Sequence, residues 1–295
     1  MAPFVTYLMA ALAAVLWGAN FNLVKPVVAE LHPLAAGADR YLIAAAVMVV
    51  LTYARGERLA WRHGKTYLIL GLLGVFGFNL FFFLGMARTS PVNGALIMAL
   101  NPLFTSLIAY FVLGDRPTRG QLLAVPAGLV GVGIVVLGAG AHVEAARGDA
   151  LLFVANLSWA FYNVYLRKLM PKDTSGVANT AAIMTTGALA LTAFALMSRA
   201  PFVMPSLHAG SALLAMSVGG GVVAFLLWNT SIERLGAARA AIFLNLVPVA
   251  SMTIAAFSGE PPTHAQLLGG ALVIGAVTFS ALRFGEGAKT PCRIC

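Results

Sequence analysis

"GDRPTRGQLL", residues 114–123, and "GEPPTHAQLL", residues 259–268, are nearly the same passage written 145 positions apart. Six of the ten letters agree, and Asp115 is answered by Glu260. Upstream, "ALIMALNPLFTSLIAYFVLG" from Ala95 lies against "AIFLNLVPVASMTIAAFSG" from Ala241. Pro102 then meets Pro248, Ile108 meets Ile254 and Phe111 meets Phe257. A fainter match sets Trp17 against Trp159 and Lys25 against Arg167. The chain therefore reads as two copies of one unit, residues 1–143 and 144–283, followed by a polar tail, 284–295.

The unit is built for a membrane. Of 295 residues 60% are hydrophobic and only 10% charged, where a water-soluble domain carries about 25% charged residues. Mean hydropathy is +0.88. Ten stretches have the roughly 20 apolar residues that cross a hydrocarbon core of about 30 Å: about 5–28, 34–54, 66–87, 92–113, 119–138, 149–169, 177–197, 209–232, 237–257 and 265–283. The expectation is an all-α polytopic membrane protein with ten transmembrane helices, five in each copy. The first stretch lacks a basic leader and is too long for the core of a signal peptide, so it is read as a retained helix. Five spans is an odd number, so the second copy enters the membrane upside down. Inverted repeats of this kind build secondary transporters, with the substrate site near the midplane between halves.

The net charge of +9 follows topology rather than a nucleic-acid site. With the N-terminus on one side, fourteen of the 19 Lys and Arg fall on that side, including Arg55, Arg58, Arg62, Lys65, Arg116, Arg119, Lys168 and Arg239. By the positive-inside rule both termini are expected in the cytoplasm and the chain in a bacterial inner membrane. Cys292 and Cys295 match the placing of a prenylation box or half a metal site, but Arg293 is wrong for the first and two ligands are too few for the second. They read as part of a frayed terminus. The duplicated turn has a structural reading: Gly114 and Gly259 suit helix C-termini, and Thr118 with Gln121, like Thr263 with Gln266, has capping-box spacing.

The whole chain resembles the drug/metabolite transporter superfamily, specifically the EamA-type ten-helix exporters, and is nearest in character to the aromatic amino-acid exporters. The resemblance rests on "LWGANFNLVKP", "HPLAAGADRY", "LNPLFTSLIAYFVLGDRPTRGQLL" and "VPVASMTIAAFSGEPPTHAQLL". It implies an inverted five-plus-five bundle that exports metabolites, amino acids or drugs. The chain departs from the family pattern at Trp159-Ala160, where Trp-Gly is common, and at Asp115, where Glu is more usual.

Charged groups at bilayer depth are costly and usually functional. Of ten acids only Asp39 falls clearly inside a span, beside Arg40. The five histidines, His32, His63, His142, His208 and His264, fall in loops or at helix ends. The chamber is thus expected to be uncharged and to pass an amphipathic neutral or zwitterionic small molecule, by facilitation or weakly coupled exchange. Asp39 and Arg40 read either as a structural contact near the interface or as an outer gate. Lys25 and Arg167 are expected to snorkel to lipid headgroups.

The midplane holds amides beside aromatics, which should face inward because an amide facing lipid is unsatisfied. The substrate-binding candidates are Trp17, Asn20, Phe78, Asn79, Phe82, Asn101, Trp159, Tyr162, Asn163, Trp228, Asn229 and Asn245. Interhelical bonding alone is the competing reading for any single Asn. Pro102 and Pro248 are expected to kink their helices as hinges, with Asn101 satisfying the freed carbonyls. Gly71, Gly74, Gly77 and the runs at 128–133 and 219–221 are expected to bring helices close. No nucleophile, metal cluster or acid–base pair stands at depth, so neither an enzyme nor a cofactor or metal is expected. Aromatic or hydrophobic amino acids are the favoured cargo, drugs or nucleobase-like compounds the alternative, and a passive channel a further one. The carrier is expected to be a monomer in the lipid bilayer.

Overall fold

Backbone groups in an apolar phase must be satisfied within the protein, and unbroken apolar runs of about 20 residues do so as helices. The computed structural model describes residues 3–115, 117–138, 143–235 and 242–282. Arg116, His142, Arg239, Cys292, Cys295 and the tail 284–295 lie outside the described residues, as does the start of the run expected at 237–257. In chain order the helices are α1 (Pro3–Glu30), α2 (Pro33–Ala54), α3 (Trp61–Met86), α4 (Pro91–Leu113) and α5 (Arg119–Gly138). They continue as α6 (Val143–Leu169), α7 (Gly176–Met197), α8 (Leu207–Ser231), α9 (Phe243–Phe257) and α10 (His264–Leu282). Among the described residues seven, α1–α5, α7 and α8, are long and apolar enough to cross a membrane. The apolar parts of α9 and α10 are shorter, and α6 carries charges at both ends.

Local chemistry sets the helix starts. Ser90, Ser175 and Ser206 accept the amide of the residue three later and open α4, α7 and α8, each satisfying an orphan N–H. Both duplicated turns form reciprocal capping boxes. Thr118 N–H donates to Gln121 Oε1 at 2.8 Å and Gln121 N–H to Thr118 Oγ1 at 3.2 Å. Thr263 and Gln266 repeat this at 2.9 and 3.2 Å. Gly114 (φ 75°) and Gly259 (φ 87°) take the left-handed conformation that ends the preceding helix.

The outer surface is apolar, with Phe257 90% and Leu137 78% exposed. Exposed apolar residues are so numerous that the protein is suited to lipid rather than water. Inside, α5 pairs with α10, α2 with α7, α1 with α9 and α8, and α6 with α4 and α3. Moving every helix five places along the chain turns this set of pairs into itself. Two of the contacts depend on glycine. A Cβ on Gly131 would stand 2.8 Å from Gly269 O, and one on Gly269 would run into Gly131 O, so α5 and α10 touch backbone to backbone. Likewise a Cβ on Gly187 of α7 would collide with Val75 Cβ of α3.

The two copies of the opening decapeptide lie far apart. The first follows the C-terminus of α4, whereas Gln266 of the second donates Nε2–H to Asn93 Oδ1 (2.8 Å) and Ser90 Oγ (3.3 Å) at the N-terminus of α4. They occupy opposite ends of a helix roughly 34 Å long at 1.5 Å per residue.

Four helices, α3, α4, α8 and α9, are irregular. α3 and α8 contain π-helical turns, at Gly71–Gly77 and Ala215–Val223, and such turns favour functional sites. α4 is interrupted at Ala99–Leu100 and restarts at Asn101 with Pro102 in its first turn. Pro102 thus begins a second segment instead of bending an unbroken one, because its missing N–H costs nothing there. The carbonyl of Ile97 at the break is served by Asn156 Nδ2 from α6 at 2.7 Å, not by Asn101. Pro248 is buried in the first turns of α9, after a 3-10 turn at Ile242–Asn245.

Candidate substrate cavity

The helix breaks and the aromatic side chains meet around one central cavity of about 870 Å³, including its open part. α1 contributes Trp17, Asn20 and Phe21, α3 Phe78 and Phe82, and α6 Trp159; α8 contributes Gly220 and Phe225. The breaks in α4 and α9 supply Met98, Ala99, Asn101 and Pro102, and Leu244, Asn245 and Val247. Arg40 and Tyr41 of α2 complete the wall.

Trp17 is aimed by a bond from its Nε1–H to Gly220 O at 3.0 Å. It packs edge-on against Phe225 at 5.7 Å between ring centroids. Phe225 touches Trp159 at 6.1 Å, Trp159 touches Phe78 at 5.2 Å, and Phe78 stacks on Phe82 at 5.4 Å. The contacts are edge-on, tilted or stacked, and such aromatic pairs are worth about 0.5–1.5 kcal/mol beyond burial. The rings form a continuous wall across both halves of the chain.

Of the candidates named from sequence, Trp17, Asn20, Phe78, Phe82, Asn101, Trp159 and Asn245 line this cavity, as do Arg40 and Pro102. Others stand behind it. Trp228 backs Trp17 at 5.4 Å. Asn163 donates to Asn101 Oδ1 at 2.9 Å, and Asn101 donates to Asn156 Oδ1 at 2.7 Å. Tyr162 is buried and lines a smaller space that Trp159 also borders. Asn79 is fully buried; its Oδ1 accepts from Arg40 Nη1 at 3.2 Å and its Nδ2 donates to Val75 O at 2.8 Å. Asn229, Asp39 and Pro248 line neither space. One helical position turns a side chain by about 100°, enough to put a correctly assigned helix's residue behind the wall rather than in it. Lining residues outside the named candidates include Phe21, Tyr41, Met98, Phe225, Leu244 and Val247. Phe21 and Phe225 carry a signal in the sequence, as rings near Asn20 and Trp228.

The charge pattern also departs from expectation. Arg40 is 4% exposed and faces the cavity, so the chamber is not uncharged. No ion pair joins Arg40 to Asp39 among the described residues. Among the described residues the most buried carboxylate is Asp149, not Asp39; it accepts from Thr89 Oγ1 (2.5 Å) and Asn93 Nδ2 (3.2 Å) and ties α6 to the start of α4. Lys25 does not snorkel: its Nζ donates to Met86 O and Thr89 O, capping the end of α3. Arg167 pairs with Asp115 at 2.5 Å.

A helical bundle with an apolar exterior and an aromatic cavity at helix breaks is a polytopic membrane protein of the transporter type. The sequence profile of the EamA-like transporter family matches it twice, over residues 4–137 and 146–282. The chain belongs to that family and is a transporter, not an enzyme. It is 35% identical over 286 residues to the uncharacterized transporter YyaM of Bacillus subtilis (strain 168), covering 94% of this chain and 93% of the relative. It is 26% identical over 249 residues to the aromatic amino acid exporter YddG of Ancylobacter novellus, covering 82% and 85%. Against a probable amino-acid metabolite efflux pump of Salmonella typhimurium it is 24% identical over 297 residues, with 94% of each chain covered. One solved structure aligns with a TM-score of 0.68 at 22% identity, over 96% of this chain and 99% of that one, which supports the fold.

Proposed function

We propose that this protein is a secondary transporter that exports amphipathic metabolites, chiefly aromatic or hydrophobic amino acids, by alternating access. The observation that carries the reading is the wall of Trp17, Phe225, Trp159, Phe78 and Phe82, drawn from both halves of the chain and interrupted by the amides of Asn20, Asn101 and Asn245. Flat apolar faces suit an aromatic or branched side chain, and the amides suit a polar head. The functions named for the Ancylobacter and Salmonella relatives agree with such a cargo.

The mechanism follows from ten membrane helices in two inverted units, 1–143 and 144–283, that exchange conformations about the cavity. The self-mapping helix pairs and the opposite placement of the two capping boxes support it, as does the double family match. Both termini, with the tail 284–295, are then cytoplasmic in a bacterial inner membrane. Among the described residues the cavity wall carries no carboxylate or histidine, which favours facilitated or weakly coupled exchange over proton pumping. Counterflow of a radiolabelled amino-acid panel in proteoliposomes tests the reading. Saturable exchange of aromatic amino acids that survives collapse of the pH gradient is expected; failure of every amino acid to exchange would overturn it.

A further inference from the structure

Two buried polar atoms, each on a residue that lines the cavity, lack partners, and they are of opposite kind. Arg40 Nε–H is a donor without an acceptor, and Asn20 Oδ1 is an acceptor without a donor, among the described residues. Both residues line the same space and are more than nine-tenths buried. Unsatisfied buried groups are rare in native proteins and each calls for a reason. A guanidinium stays charged in any protein environment and matches carboxylate geometry. Here it is held rather than loose. Its Nη1 donates to Asn79 Oδ1 at 3.2 Å, its Cζ lies 5.3 Å from the Tyr41 ring centroid, and Asn79 is itself anchored on Val75 O inside the π-turn of α3.

We propose that Arg40 and Asn20 form the head-group site for the transported solute, which is an amphipathic carboxylate bearing an N–H donor. The carboxylate accepts from Arg40 Nε–H, the donor engages Asn20 Oδ1, and the apolar end lies against Trp17, Trp159 and Phe78. Asn79 is the positioning residue that keeps Arg40 on the wall. The proposal deepens the carrier reading by naming its substrate class, but the binding it describes stands apart from whether the solute is then transported. Charge makes the two contacts unequal. A negative group is matched by the only charged side chain among the described residues of the wall, whereas an ammonium meets only a neutral amide. The carboxylate is therefore the required feature and the amine the dispensable one.

The test is equilibrium binding to the purified full chain in lipid nanodiscs, with L-phenylalanine, 3-phenylpropionate, L-phenylalaninamide and phenethylamine as probes. The two carboxylates are expected to bind within about tenfold of each other, and the amide and amine at least about tenfold more weakly, the loss typical of a buried charged contact. In Arg40→Gln the acid and amide should bind alike, with Arg40→Lys keeping part of the preference. Asn20→Ala should narrow the gap between phenylalanine and phenylpropionate only. If Arg40→Gln does not fold, the probe series on the unaltered protein still decides. An amide that binds as tightly as its acid overturns the head-group assignment, while saturable counterflow in the same preparation would leave the carrier reading standing.

Discussion

Arg167 Nη1 and Asp115 Oδ2 form an ion pair at 2.5 Å, while the residues that match them in the other copy, Lys25 and Glu260, form no such pair with each other. Lys25 is instead engaged with the carbonyls of Met86 and Thr89. Two sites that are equivalent by sequence thus differ in one structure. A carrier whose halves exchange conformations has this asymmetry in each end state, with the pairs changing places as access alternates. An exposed ion pair contributes only about 0–1 kcal/mol to stability, which suits a contact that must break in every cycle. With Asp115→Cys and Arg167→Cys in a background lacking Cys292 and Cys295, oxidation in proteoliposomes should stop exchange and reduction restore it. Full cross-linking with undiminished exchange would contradict the role.

The aromatic wall gives a graded prediction. Trp17→Ala and Trp159→Ala remove cavity surface, so each should raise KM by about tenfold or more, in line with losing a buried aromatic contact. Trp228→Ala acts only through Trp17 and should raise KM less. Initial-rate kinetics on variants that elute like the unaltered protein check the order. A larger effect at Trp228 than at Trp17 would place the substrate elsewhere.

Helix contact through glycine predicts stability. Gly187→Ala puts a methyl on Val75 Cβ and should destabilise by about 1–3 kcal/mol, as overpacking does. A Cβ on Gly133 would meet nothing within 4 Å, and Gly133→Ala should be neutral or slightly stabilising because it restrains the unfolded chain. Thermal unfolding in detergent distinguishes the two.

Acid sensitivity should come from the loops between α2 and α3 and between α6 and α7. Arg62 holds the Asp173 carboxyl below its ordinary value, with His63 assisting. Ser175, with Arg55, does the same for Glu57. Depressed carboxylate values stabilise above the unfolded values near pH 4, and the contribution is lost as pH falls through the folded values. Asp173 is exposed and Glu57 only partly buried, so the step is small. Asp173→Asn with Glu57→Gln should reduce the loss of thermal stability between about pH 4 and pH 3; an unchanged acid step would contradict the assignment.

Local features are legible in the sequence and cross-helix ones are not. The capping boxes at Thr118 and Thr263 need only four consecutive residues and form as the spacing implies. Trp17, Asn20, Phe78 and Trp159 can be assigned to the interior because a polar or ring-bearing face repeats at three and four. The rotation of each helix cannot. In sequence Arg40 reads beside Asp39 as an interfacial contact or an outer gate, yet one helical step sends them to different surroundings. Asn156 serves the carbonyl of Ile97 from another helix, a partnership that no spacing within α4 encodes. The π-turns of α3 and α8 are hidden for a related reason: their glycine runs fit close packing equally well, and tertiary contact decides between the two.

The central claim, that the two units are inverted about the cavity, is tested most directly by site-directed labelling. Arg119→Cys and His264→Cys, each in a background lacking Cys292 and Cys295, mark the two copies of the duplicated turn. With a membrane-impermeant maleimide on intact cells and on inverted vesicles, opposite patterns are expected: Arg119→Cys reactive from the cytoplasmic face and His264→Cys from the other. Labelling of both positions from one face would contradict the inversion.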